Sequence, residues 1–215
     1  KAPIVAWSMA FTADGEPAAT ESDAFYFPWS GTDASRREIS CILSGQLFLT
    51  NCRGVEDLSA LKELGITHVL CINEQENNFP DQLVYFNVSD VTDDPDMADA
   101  LKAKFESAFN FIDAATAAGG GCVVHCAAGI SRSSTVVLAY LISRKSMTLR
   151  QAFAHTICRR RVIWPNEGFW ERLVELECEA LKLEAPSLPL SLYKEWADLT
   201  EEDHRKAATT LDRDP

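Results

Sequence analysis

A strand, a short loop and a long helix follow one another directly over residues 122–144. The strand is predicted at 122–125, the loop at 126–131, and a long apolar helix comes next. The same alternation occurs earlier, where a helix predicted at 55–64 ends in glycine and is followed by an apolar, β-branched strand at 66–72. Because strands alternate with helices, we expect an α/β fold with a central, mainly parallel sheet flanked by helices.

Further elements of the same kind surround these two units. An acidic loop at 89–96 lies between a predicted strand and the long helix that follows it, and Asp96 is the expected N-cap of that helix. The further strands are predicted on both sides of a turn at 44–45 and at 83–88, and the further helices at 97–117, 148–159 and 170–183.

The regular pattern occupies residues 39–184, which we take as a single domain. Residues 1–38 form an N-terminal extension, and its aromatic cluster at 25–29 is expected to pack on the domain or on a partner. Residues 185–215 form a C-terminal extension that is interpreted either as a short amphipathic helix or as a loosely held tail.

The composition excludes several classes of protein. A chain of 215 residues, 47% of them hydrophobic, can bury a substantial core. Its net charge of −12 argues against a nucleic-acid binder and against binding to an anionic membrane. No apolar run approaches the roughly 20 residues that span a bilayer, and the seven cysteines lack the spacing of a disulfide framework or a structural zinc site. We therefore expect a cytoplasmic or nuclear location; the sequence leaves the oligomeric state open.

Basic residues are concentrated between residues 126 and 172, where eight of them accompany two glutamates, a net charge of +6. This local excess suits a site for a phosphate or an acidic peptide on an otherwise acidic surface. An ordinary basic helical face is the alternative interpretation.

The loop after the strand at 122–125 carries the residues of an anion site with a nucleophile. Cys126 opens the loop, and the field of the loop N–H groups and of the helix N-terminus favours its thiolate, the form that attacks phosphorus. Arg132 ends the loop with a guanidinium that can hold two phosphoryl oxygens, and Ser133 places a hydroxyl where it can donate to the sulfur. The alternative is a buried structural cysteine with Arg132 on a solvated face. The expected phosphate-binding residues are Ala127, Ala128, Gly129, Ile130, Ser131 and Arg132.

Residues 125–133, His-Cys-Ala-Ala-Gly-Ile-Ser-Arg-Ser, resemble the Cys-x5-Arg signature of protein tyrosine phosphatases, in the form found in dual-specificity phosphatases. Residues 161–169 are similar to the segment that braces the phosphate loop in that family. The resemblance covers roughly residues 39–183 and implies a dual-specificity phosphatase-like domain that needs no metal or other cofactor. It also implies that His125 is buried and shapes the loop, and that Asn166 orients the loop; Asn166 can equally cap the following helix.

The resemblance further implies a two-step reaction, in which Cys126 takes the phosphoryl group and a water molecule then hydrolyses it. In this family an aspartate after a strand acts as the acid and then as the base, and Asp90 occupies the matching position here. Asp93 and Asp94 stay open as alternatives, because the loop is slightly longer than the usual spacing.

The residues inside the loop also narrow the expected substrate. Positions 127, 128 and 130 hold Ala, Ala and Ile, where inositide phosphatases usually carry lysine. This favours a shallow pocket for phosphotyrosine and phosphoserine or phosphothreonine in a protein, and the resemblance points to a phosphorylated MAP kinase. A phosphopeptide-binding module with weak turnover and a phosphatase for a non-protein substrate are the alternatives. Cys71 is a candidate to form a disulfide with an oxidised Cys126.

Overall fold

The computed structural model of the protein describes residues 39–197, and the side chains of residues 39–194. The N-terminal extension at 1–38, with its aromatic cluster, and residues 198–215 of the C-terminal extension lie outside the described residues. Within residues 39–197, no helix is long and apolar enough to cross a membrane.

Five strands form one sheet at the centre of the domain. In chain order they are β1 (Ser40–Leu43), β2 (Leu47–Asn51), β3 (Ile66–Cys71), β4 (Val84–Asn87) and β5 (Gly121–Cys126). Their order in space is β1-β2-β5-β3-β4, and every neighbouring pair is parallel except β1 with β2. The prediction of a mainly parallel sheet is confirmed.

Helices pack on this sheet and on one another. They are α1 (Leu58–Glu63), α2 (Ala98–Lys102), α3 (Phe105–Ala117), α4 (Arg132–Lys145), α5 (Leu149–Arg159), α6 (Glu167–Leu181) and α7 (Leu190–Ala197). Helix α4 is buried at every position from 133 to 142 and contacts α3, α5, α6 and β5. It therefore lies at the centre of the helical layer.

Strand β5 is the middle strand of the sheet, and all six of its residues are buried. Successive residues face opposite sides: Val124 packs in a large cluster with residues of α2 to α6, and Val123 packs in a smaller cluster with Leu61 of α1. Burial on both faces is typical of a central parallel strand. The end of β5, at Cys126, is therefore fixed by packing from both sides.

The prediction of one helix over 97–117 with Asp96 as its N-cap was wrong. A 3-10 turn at Pro95–Met97 comes first, and the Asp94 carboxylate accepts the N–H of Asp96 at 2.9 Å. Proline lacks an N–H and its φ suits the first position of a helical turn, so the turn begins at Pro95 and Asp94 becomes its cap. The Lys104 N–H then donates to the carbonyl oxygen of Leu101, three residues back, which separates α2 from α3.

Two other helices begin at side-chain caps that periodicity alone did not indicate. Helix α1 starts only at Leu58, because Asp57 accepts the N–H groups of the first turn, so the prediction of 55–64 began too early. Helix α6 starts at Glu167 rather than at 170, because the Asn166 side chain accepts the N–H of Phe169.

His125 lies at the end of β5 with 2% of its surface exposed, and its Nδ1 has no hydrogen-bond partner in the described part of the chain. Burial lowers the pKa of the His125 imidazole to about 4, because the charged form loses its hydration. In the unfolded chain the pKa of a histidine is about 6.5. Between these two values the unfolded state binds the proton and the folded state does not, so stability is lost as the pH falls.

We predict that the free energy of unfolding declines between pH 7 and pH 4, and that His125→Gln removes up to about 3 kcal/mol of this decline. Urea unfolding of both proteins across this range measures the two slopes. Comparing slopes is necessary because carboxylates also titrate here and any loss of packing in the variant shifts the whole curve. Parallel curves for the two proteins would show that His125 is not held neutral by the fold.

Candidate active site

The loop between β5 and α4 lies at the carboxyl ends of the parallel strands, where open α/β sheets place their ligand sites. Gly129 lies in this loop with φ +68, in the left-handed region that favours glycine. A Cβ at this position would lie 2.5 Å from the carbonyl oxygen of Thr50 and 2.6 Å from Nη2 of Arg160. The conformation of the loop therefore requires glycine at this position.

The thiol of Cys126 lies inside this loop with 1% of the residue exposed. Its Sγ accepts the backbone N–H of Gly129 at 3.3 Å and lies 3.3 Å from Oγ of Ser133, in the first turn of α4. An N–H donor, a hydroxyl and the positive end of a helix dipole all stabilise negative charge on sulfur. The surroundings thus suit a thiolate nucleophile.

Arg132 begins α4 and lies on the same loop. Its Nη1 donates to the carbonyl oxygen of Val91 at 3.3 Å, and its buried Nε has no hydrogen-bond partner among the residues that the structure describes. A buried charged donor without a partner is costly in a folded protein. Together with the N–H groups of the loop, the guanidinium of Arg132 is suited to binding an anion such as a phosphoryl group.

Asn166 links three segments of the site. Its backbone N–H donates to Oγ of Ser131 at 3.0 Å, and its Nδ2 donates to Oδ1 of Asp93 at 2.8 Å. The same Asp93 oxygen accepts the hydroxyl of Ser131 at 2.7 Å. Asn166 also caps α6 through Phe169, so it makes both kinds of contact that the sequence suggested.

The three candidate acids have different surroundings. Asp93 is engaged with Ser131 and Asn166, and Asp94 caps the turn that precedes α2. Asp90 is exposed, and its Oδ2 lies 2.8 Å from Nζ of Lys104. The hydrogen bond from the Lys104 ammonium lowers the pKa of the Asp90 carboxyl. Asp93 is thus engaged with the loop and Asp94 with the turn, whereas Asp90 pairs with Lys104, the residue that precedes α3.

One residue that supports the loop was missed by the sequence analysis. Arg160 is 3% exposed, and its Nε donates to the carbonyl oxygen of Gly129 at 2.9 Å. A run of three arginines indicates a basic surface, so the burial of the middle one had no signal in the sequence. The backbone N–H of Trp164 donates to the carbonyl oxygen of Ile130 at 2.8 Å. Trp164 lies in the segment 161–169 that the resemblance singled out, although its individual contact was not predicted.

Cys71 is paired with His125 in the register of β3 and β5. Its Sγ donates to Oδ1 of Asn73 at 2.8 Å, and burial raises the pKa of the Cys71 thiol. Cys71 is thus a neutral thiol, and it lies beside the residue that directly precedes Cys126 in β5. Across residues 39–197, no group of three or more His, Cys, Asp and Glu side chains is arranged to hold a metal ion.

Comparison with known proteins relates this geometry to one family. The sequence model described as "Dual specificity phosphatase, catalytic domain" matches residues 47–179. Mouse dual specificity protein phosphatase 2 is 39% identical over 135 residues, which are 63% of this chain and 42% of that protein. MAP kinase phosphatase with leucine-rich repeats protein 3 of Dictyostelium discoideum is 37% identical over 134 residues, which are 62% of this chain and 15% of that protein.

Solved structures give the same result. The crystal structure of the human tyrosine phosphatase-like serine/threonine/tyrosine-interacting protein superposes with a TM-score of 0.63 and 36% identity, covering 68% of this chain and 99% of that chain. The chain spans less than half the length of the two relatives above. Since the family's sequence model covers more than half of this chain, and the fold and the loop agree with it, the chain belongs to the dual-specificity phosphatase family.

Proposed function

We propose that this protein hydrolyses phosphotyrosine and phosphoserine or phosphothreonine in proteins, through a cysteinyl-phosphate intermediate. One observation carries the proposal: the sulfur of Cys126 faces the N–H of Gly129 and the hydroxyl of Ser133, on the same loop as the unpartnered Nε of Arg132. A nucleophile and a cation for the phosphoryl oxygens are thereby combined in one short loop.

In the first step, the thiolate of Cys126 attacks phosphorus and the bond from phosphorus to the ester oxygen breaks. Asp90 gives its proton to the departing oxygen of the tyrosine, serine or threonine. The charge on the phosphoryl oxygens is stabilised by the guanidinium of Arg132 and by the N–H groups of the loop. The products are the free hydroxyl and a phosphoryl group bound to sulfur.

In the second step, Asp90 accepts a proton from a water molecule that attacks the phosphoryl group. The bond between sulfur and phosphorus breaks, and the hydroxyl of Ser133 stabilises the sulfur as its charge returns. Inorganic phosphate leaves, and Asp90 is again protonated. Asp90 is assigned as the acid because its side chain is exposed and pairs with that of Lys104, whereas Asp93 is engaged with Ser131 and Asn166 and Asp94 caps a turn.

For the substrate we propose a phosphorylated protein, with a MAP kinase as the leading candidate and a cytoplasmic or nuclear location. The excess of positive charge between residues 126 and 172 favours an acidic phosphopeptide, and one matched relative is named as a MAP kinase phosphatase. Arg160 is buried, at 3% exposed, whereas Arg161 next to it is exposed. Arg161 is therefore the better placed of the two to contact a peptide.

Two alternatives belong to other functional classes. One is a phosphopeptide-binding module with weak turnover, favoured by the match to the human tyrosine phosphatase-like serine/threonine/tyrosine-interacting protein. The other is a phosphatase for a non-protein substrate. Release of phosphate from a peptide separates both from the proposal.

We expect the unmodified chain to release phosphate from both residues of a doubly phosphorylated Thr-x-Tyr peptide. Cys126→Ser should lower the rate by roughly 10³-fold or more, because the weaker nucleophile cannot form the intermediate. Cys178→Ser, which changes a half-buried cysteine of α6, is the matched control and should keep the activity. Binding of the peptide by the unmodified chain without release of phosphate would favour the binding module.

The assignment of the acid predicts a dependence on the leaving group. Asp90→Asn should lower kcat/KM, which reports the first step alone, about 10²-fold with an alkyl phosphate, which needs a proton, and much less with an aryl phosphate whose phenol is strongly acidic. Asp93→Ala should affect both substrates alike, because it loosens the contacts to Ser131 and Asn166. Steady-state kinetics with the two substrates measure the ratio. An equal loss in Asp90→Asn with both substrates would rule out Asp90 as the acid.

The ion pair with Lys104 predicts a shift in the pH profile. Lys104 lowers the pKa of Asp90, so Lys104→Met should raise it. Because Asp90 must be protonated in the first step, the alkaline limb of kcat/KM against pH should move to higher pH. Lys102→Met is the control, since Lys102 pairs with Glu175 and Glu179 instead. If the alkaline limb lies at the same pH in the unmodified chain, in Lys104→Met and in Lys102→Met, Lys104 does not lower the pKa of the catalytic acid.

A further inference from the structure

The first part of the C-terminal extension is buried against the domain. Leu188 and Tyr193 are each 3% exposed, and both belong to the main hydrophobic cluster. The ring of Tyr193 stacks on Trp170 at a centroid distance of 3.8 Å and on Trp164 at 4.6 Å. Its hydroxyl donates to the carbonyl oxygen of Pro165. Helix α7 is therefore a packed element rather than a loosely held tail.

Buried polar contacts hold the segment before α7 in place. Glu177 of α6 is fully buried and accepts the N–H of Ser187 at 2.9 Å and that of Leu149 at 2.7 Å. The indole Nε1 of Trp170 donates to the carbonyl oxygen of Leu188 at 3.3 Å. Since a buried carboxylate without its donors is strongly destabilising, these contacts fix the path of the chain into α7.

Two of the residues that Tyr193 contacts, Trp164 and Pro165, lie in the segment that donates hydrogen bonds to the loop at 126–131. Trp164 donates its N–H to the carbonyl oxygen of Ile130, and Asn166 donates its N–H to Oγ of Ser131. Pro165, whose carbonyl oxygen accepts the Tyr193 hydroxyl, lies between them. Residues 164–166 thus connect α7 to the two loop positions that directly precede Arg132.

The Tyr193 hydroxyl is suited to a permanent role as donor. Burial raises the pKa of Tyr193 well above its usual range, and the carboxylates of Glu167 and Asp93 raise it further. The hydroxyl therefore keeps its proton throughout the neutral and mildly alkaline range. Its acceptor among residues 39–194 is the carbonyl oxygen of Pro165.

We propose that Tyr193 is a positioning residue for phosphate binding: helix α7 presses residues 164–166 against Ile130 and Ser131, and so keeps the loop and Arg132 arranged to hold a phosphoryl group. The inference rests on the proposed function only to the extent that the loop binds phosphate. The proposal extends the functional domain into the C-terminal extension, beyond the end at residue 184 that the sequence predicted. Turnover is not needed to test it.

The test is the affinity of the full chain for a phosphotyrosine peptide, measured by calorimetry in a Cys126→Ser background that does not turn over. Tyr193→Phe keeps the ring stacking and removes one hydrogen bond, so we expect an affinity about 5-fold lower. Tyr193→Ala removes both, and we expect a loss of about 30-fold. Leu192→Ala, at a 36% exposed position of the same helix, is the matched control and should bind normally.

Thermal unfolding of each variant separates positioning from loss of the fold. A folded Tyr193→Ala with undiminished affinity would overturn the proposal. If Tyr193→Ala does not fold, Tyr193→Phe decides, and undiminished affinity in that variant overturns the proposal equally. Peptide binding without phosphate release by the chain with Cys126 intact would instead refute the proposed hydrolysis and leave this comparison of affinities unaffected.

Discussion

The loop between β5 and α4, residues 126–131, keeps its shape only if its carbonyl oxygens find hydrogen-bond donors, and the rest of the site depends on this shape. An N–H of the loop is directed at the sulfur of Cys126, and three carbonyl oxygens of the loop face the protein, where a buried acceptor without a donor is costly. Three donors meet this need from distant parts of the chain: the backbone N–H groups of Cys52 and Trp164, and the guanidinium of Arg160. Cys52 donates to the carbonyl oxygen of Ala127, Trp164 to that of Ile130, and Arg160 to that of Gly129.

These donors explain why a short motif requires a whole domain. Cys52 follows the end of β2, Arg160 follows the end of α5, and Trp164 precedes α6. The sheet brings β2 beside β5, and the helices that cover α4 bring the other two donors to the same loop. The burial of β5 and α4 holds the loop between two rigid elements. Binding of a phosphoryl group can then use a site that is already formed, which avoids the cost of ordering it.

Much of this arrangement could be predicted from the sequence, because its signals are local. The alternation of strands and helices indicated the parallel sheet, and the residues between Cys126 and Ser133 indicated an anion site with a nucleophile. The cap of the turn before α2 was assigned wrongly, since Pro95 moves the start of the turn and Asp94 competes with Asp96 for the role.

What could not be predicted depends on contacts between residues far apart in the sequence. Arg160 is buried only because α5 ends beside the loop, and a run of arginines carries no sign of this. Tyr193 is buried because its ring packs on Trp164 and Trp170. Both tryptophans lie more than twenty residues from Tyr193 in the sequence, so this contact has no local signal. Periodicity describes one helix at a time, and such contacts arise only when the helices are assembled.

The central claim is that Cys126 carries the phosphoryl group during turnover, and a rapid acid quench tests it most directly. The protein is mixed with a phosphotyrosine peptide, quenched while phosphate is being released, digested and analysed by mass spectrometry. We expect one added phosphoryl group on the fragment that contains Cys126, and none on that fragment from Cys126→Ser. Phosphate release by Cys126→Ser at the rate of the unmodified chain, with no adduct on either protein, would contradict it.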